Sequence, residues 1–172
     1  MGLTPQVELL AADWFRRARE SQRAHYECCA RYNRLNRLLG IPTIVLSAGV
    51  GTAVFATLDK GASGSLKVIL GLLSVTAAVL ASLQTFMAFG DLGTRHKAAG
   101  ARYGAIRRNL ELLKVSPPPS EHEVSQELLK IKKEMDDLAE RAPHVPSSPK
   151  RKIDEEMKSR DHKRIFDVPA SR

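Results

Sequence analysis

Hydrophobic positions along the chain follow two kinds of pattern. In the middle, Leu38–Leu58 and Val68–Phe89 are uncharged apolar runs, separated by the polar spacer DKGASGSLK. At a helical rise of about 1.5 Å per residue, either run reaches about 31–33 Å, the thickness of a bilayer's hydrocarbon core. Two such charge-free runs predict membrane-spanning helices joined as a hairpin. Elsewhere apolar or small residues recur at steps of three and four, the signature of amphipathic helices. Leu10, Trp14, Ala18, Ser21, His25, Cys28, Tyr32, Leu35 and Leu39 mark the seam of a helix over 6–37. His96, Ala99, Tyr103, Ile106, Leu110 and Leu113 mark another over 91–115, and Val124, Leu128, Ile131, Met135, Leu138 and Ala142 a third over 120–142. The expected fold class is all-α, a two-transmembrane helical hairpin with amphipathic cytoplasmic helices forming a bundle.

Breakers and caps divide these elements. Gly40 and Pro42 open the first apolar run, and a proline there denies the helix a donor, so a kink or break and a hinge are expected at Pro42. A second hinge is expected in the Asp91–Gly93 turn, at Gly93. The run SPPP (Ser116–Pro119) stops the helix before it, and Ser120 with Glu123 forms the S-x-x-E capping box that starts the next. The chain thus reads as one domain over 1–146, with spans at about 38–58 and 68–89. A charged tail over 147–172 follows, whose mixed charge favours disorder or a marginal helix.

Within the second run, Gly71, Ser74, Ala78, Ser82 and Thr85 share one stripe with Gln84 at its edge, while Leu72, Val75, Val79, Leu83 and Phe86 lie opposite. Small hydroxylated residues suit close helix packing or the lining of a narrow pore, and both readings stand for Ser74, Ala78, Ser82, Gln84 and Thr85. Two spans alone enclose no aqueous path, so a pore requires a homo-oligomer. Trp14, His96 and Tyr103 are candidate packing residues of the cytoplasmic helices, with a pH-reporting role for His96 as the alternative.

Charge sets the orientation. The chain carries 27 Lys+Arg against 19 Asp+Glu, a net +8, which suits an anionic membrane face. Arg19, Arg23, Arg31, Arg34 and Arg37 precede the first span, and Arg95, Lys97, Arg102, Arg107 and Arg108 follow the second, against only Lys60 and Lys67 in the loop. By the positive-inside rule both termini are cytoplasmic. Lipid headgroups account for the arginines, and no aromatic–basic interleaving points to nucleic acid. MGLTPQVELL lacks a basic n-region followed by an apolar h-region, so no cleavable signal peptide is expected.

No chemistry-bearing motif emerges. G-x-x-x-x-G-K-[ST], H-E-x-x-H and G-x-S-x-G are all absent, and Asp154, Glu155 and Glu156 sit in a tail of alternating charge. Adjacent Cys28 and Cys29 read as reduced, structural thiols with no partners for a metal site. No enzyme, cofactor or metal is expected.

One family shares this layout. A leading helix carries Trp14 and Tyr26 or Tyr32, the segment RHKAAGARYGAIRRNLE follows the second span, and a later helix ends in ERAPHVP. Over about residues 10–146 this resembles the bacterial SLATT domain family, two-transmembrane effector domains associated with nucleotide-second-messenger and nucleotide-sensing conflict systems. His96, Tyr103 and the Ala142-Pro143…Pro146 ending carry the likeness most directly. The resemblance implies an oligomeric pore-former of the inner membrane in anti-phage defence, triggered by a nucleotide-generating or nucleotide-sensing partner. The three seams support an alternative, a membrane-anchored scaffold that recruits a cytosolic partner.

Overall fold

The computed structural model describes residues 3–57 and 63–146. They form four helices, α1 (Pro5–Thr57), α2 (Gly64–Met87), α3 (Phe89–Val115) and α4 (Glu121–Arg141). Among the described residues there is no strand, and the chain is all-α. The charged tail 147–172 and most of the spacer before α2 lie outside the described residues. Two compact units result, Met1–Cys29 with Thr94–Arg172, and Ala30–Gly93. The partition follows composition: the first unit holds the charged amphipathic segments, the second the apolar runs.

In the first unit, α1, α3 and α4 share one core. Ala11, Ala18, Ala99, Tyr103, Ile106, Leu110, Ile131 and Leu138 are buried together, with Trp14, Phe15 and Met135 packed against them. Leu113, Val124 and Leu128 form an adjoining cluster that Trp14 also touches. All six residues of the α3 seam are buried, and so are four of the six on α4, with Met135 and Ala142 half-buried. The α1 seam is displaced at its start. Leu10 is 42 % exposed and Ala11 takes the buried place, with Ala18 and Ala24 following it inward. Alanine on the inner face brings the helix axes close, which is why small residues win over the leucines here.

The closest approach involves two glycines the seams do not include. A Cβ on Gly100 would lie 3.4 Å from the Gln22 carbonyl oxygen, from the His25 Cβ and from the Tyr26 ring. One on Gly104 would stand 2.7 Å from the Gln22 amide nitrogen. α1 and α3 therefore approach closely at Gly100, where the Gln22 carbonyl lies at contact distance, and side chains larger than alanine would be forced into α1.

Caps fix where α4 begins and ends. Ser120 is extended (φ −119°, ψ 147°) and its hydroxyl oxygen accepts from the Glu123 N–H at 3.2 Å, the expected capping contact. Glu121 and Glu123 lie in the first turn and Arg141 in the last, each matched to the helix dipole.

The second unit has almost no interior. Ala77 is the buried residue of α2, while Phe55 is 76 % and Phe86 84 % exposed. Both α1 and the α2–α3 stretch contain an apolar window long enough to cross a membrane, and only 6 % of either window is buried. A core helix of a water-soluble protein would show the reverse.

Three boundaries differ from expectation. Pro42 neither breaks nor ends α1, which runs continuously through it. Proline forfeits one backbone bond, whereas a helix end in apolar surroundings would orphan several. Next to it, the Thr43 hydroxyl donates to the Leu39 carbonyl at 2.7 Å. The break after the second apolar run is at Ala88 (φ 43°, ψ 39°), whose N–H closes α2 on the Gln84 carbonyl. Asp91 and Gly93 are inside α3, so the expected hinge at Gly93 is ordinary helix. Asp91 serves the first turn as an acid at a helix N-terminus instead of marking a turn. Finally, α2 starts at Gly64, ahead of the apolar run, because Lys67 and the small residues before it join its first turn.

Candidate functional site

Of the residues singled out in the sequence, the structure gathers Trp14, His96 and Tyr103 in the first unit. Helical spacing explains the last two, which stand seven apart on the buried face of α3. From α1, His25 meets them. His25 and His96 are 3 % and 1 % exposed, and their Nδ1 atoms are 2.9 Å apart. The His25 ring is stacked on Tyr103, with centroids 5.6 Å apart and planes 19° from parallel. The Tyr103 phenol also bonds to Ser21.

A short Nδ1···Nδ1 contact constrains the protons. One ring must donate its N–H and the other offer a lone pair, so the two imidazoles are opposite tautomers. A proton on both rings would set two donors against each other in a buried site. Burial pushes His25 down to about 4, with the neighbouring His96 adding to the shift, and burial lowers His96 as well. Burial raises the Tyr103 phenol while its bond to Ser21 pulls the other way. At neutral pH the cluster is uncharged. It is a polar clasp between α1 and α3.

His25 and Tyr103 also wall a cleft of about 580 Å³, which Arg17 and Glu20 from α1 and Ala142, Pro143 and His144 after α4 line as well. The pairing of His25 with His96 escaped sequence reasoning, which placed the two on separate seams. Gly100 and Gly104 were legible in principle as a G-x-x-x-G spacing beside Tyr103.

In the second unit the α2 stripe separates. Ser74, Ala78, Ser82 and Thr85 are exposed, but Gln84 is half-buried and turned to α1, where a Cβ on Gly40 would meet its amide nitrogen at 3.1 Å. The amide is thus accommodated within the unit by a glycine gap. Three hydroxyls of α2 find acceptors within the helix. Ser82 donates to the Ala78 carbonyl at 2.8 Å, Thr85 to Ala81 at 3.1 Å and Thr76 to Leu72 at 2.8 Å. Beside them, Val75, Ala78, Val79, Ser82, Leu83 and Phe86 line a shallow apolar groove of about 420 Å³.

Cys28 and Cys29 are buried thiols outside any disulfide, and among the described residues no group of three or more His, Cys, Asp and Glu could hold a metal ion. No protein-family model, no curated protein and no solved structure matches the chain.

Proposed function

We propose that the chain is an integral membrane effector. In this reading the apolar part of α1 and α2 span the bacterial inner membrane, both termini are cytoplasmic, and copies assemble through the exposed face of α2 into a pore that permeabilises the membrane. The α1–α3–α4 core is the cytoplasmic part that holds or releases that assembly. The trigger is a nucleotide-generating or nucleotide-sensing partner of an anti-phage conflict system, the role implied by the SLATT resemblance.

The observation that carries the reading is the exposure of both apolar windows, 6 % buried each, in a chain whose charged segments build a proper core of their own. Large apolar side chains left uncovered at that density need lipid or other copies around them. Arginines flanking the windows, and few cations in the spacer, support the orientation.

Sedimentation of a detergent-free lysate comes first, and the protein is expected in the membrane pellet, released by detergent but not by high salt. Purified protein in liposomes is then expected to release an entrapped dye once the trigger is supplied. Intact vesicles in every condition, with growth unaffected by overexpression, would leave the scaffold reading instead.

A further inference from the structure

A second concave site lies on the first unit, on the side of α3 facing the end of α4. Arg95 and Arg102 stand on α3 one heptad apart, so they share a face, and Arg141 comes from the last turn of α4. Between them is a cleft of about 340 Å³ whose floor includes Ala98, Ala142 and Pro143. No carboxylate among the described residues lines it. Among the described residues neither Arg102 nor Arg141 has an ion-pair partner, although i,i+3 and i,i+4 pairs are made by Arg16, Arg17, Arg107, Lys130 and Lys132.

The Arg102 and Arg141 guanidiniums, beside a concavity also lined by alanines and a proline, repel each other, and an anion between them reverses the sign of that interaction. Guanidinium is the side chain best matched to phosphate, because its planar fork donates two parallel hydrogen bonds. A carboxylate ligand would satisfy one fork. Two forks, Arg102 from α3 and Arg141 from α4, suit a group with more oxygens and more charge.

We propose that the Arg95–Arg102–Arg141 cleft binds a phosphoryl anion, carried by a soluble phosphate compound or by a phospholipid headgroup. The site is independent of whether the chain forms a pore. Its arginines are exposed, so the attraction is screened at physiological salt, and affinity depends on the forks acting together.

The test uses the full chain in an uncharged maltoside detergent at about 0.15 M salt, where screening extends over about 8 Å. Binding of inorganic pyrophosphate is followed by titration calorimetry, and binding of phosphatidic acid by retention on micelles doped with it. The comparison is wild type against Arg102→Gln/Arg141→Gln, with Arg108→Gln as a control for loss of charge outside the cleft. Thermal melts confirm that all three fold. Saturable binding of either probe that falls about tenfold or more in the double variant, and is kept by Arg108→Gln, supports the site. Pyrophosphate binding identifies a soluble source, and binding of phosphatidic acid alone identifies a lipid. Absence of saturable binding of both probes, or equal binding by wild type and the double variant, overturns it.

Discussion

Acidification is the sharpest probe of the His25–His96 clasp. A histidine with a lower pKa in the folded chain than in the unfolded one leaves stability intact above the unfolded value and removes it as pH falls, since only the unfolded chain takes up the proton. For His25, lowered from 6.5 to about 4, the loss accumulates across that interval and amounts to about 3 kcal/mol, a large share of a small core's stability. His96 shifts in the same direction and adds to the loss. With the ring 3 % exposed, solvent screening does little to reduce the figure. Below about pH 4 both states are protonated and the His25 contribution levels off. Tyr103, stacked on His25, is raised and stays neutral throughout. Arg17, Glu20 and the exposed His144 are charged or titratable groups lining the cleft that His25 walls. Comparison with His25→Gln/His96→Gln cancels their contributions. Urea denaturation in mild detergent, monitored by hydrogen exchange of α3 amides between pH 7.5 and 4, should show wild type losing about 3 kcal/mol relative to the double variant. Parallel stability curves for the two proteins would refute the reasoning.

Other outcomes follow from packing. Gly100→Leu, forced against the Gln22 carbonyl and the His25 and Tyr26 side chains, should cost about 1–3 kcal/mol by overpacking, while Gly100→Ala fits at contact distance; both are read by urea denaturation. Ile131→Ala opens a cavity at a position 4 % exposed and should cost about 2–5 kcal/mol in the same assay. Ser120→Ala removes the N-cap acceptor of α4 and should cost about 1 kcal/mol, visible as faster exchange at the Glu123 amide. Ala88→Gly relieves the left-handed backbone at φ 43° and should raise the melting temperature, by about 1 kcal/mol of stabilisation.

Periodicity made most of the first unit legible. A seam at steps of three and four located the buried face of α3 residue by residue, because apolar side chains at that spacing dominate it. On α1 it missed by one position at Leu10, where alanines govern the approach of the helices and leave no hydrophobic signal. Breakers were less dependable. Pro42 and Gly93 carry strong local propensities, yet the helices continue through both, while the actual break falls on Ala88, a residue with no preference for the left-handed region. Local propensity gave way to continuity of the helical hydrogen bonds. The histidine clasp needed a register between two helices that lie 71 residues apart in sequence, and no single-helix pattern contains that.

The hydroxyls of α2 decide what kind of assembly its exposed face favours. Had Ser82 and Thr85 pointed unpaired donors outward, a water-filled lumen or hydrogen bonds between copies would be needed to satisfy them. Each instead donates to a carbonyl four residues back, so at these two positions the face can meet hydrocarbon without an unsatisfied donor. Gln84, the one amide on the helix, is turned to Gly40 and is likewise absent from the open face. Any association through Ala78 and Ser82 must then come from close approach of small side chains, not from polar bonds. The two sources of affinity separate cleanly in one pair of variants. Ser82→Ala keeps the small profile and removes only the hydroxyl, so self-association measured by crosslinking or by energy transfer between labelled copies in liposomes should be unchanged. Ser82→Leu fills the groove and should abolish it. A large loss with Ser82→Ala would mean that the hydroxyl leaves its own helix in the assembled state and bonds across the contact between copies.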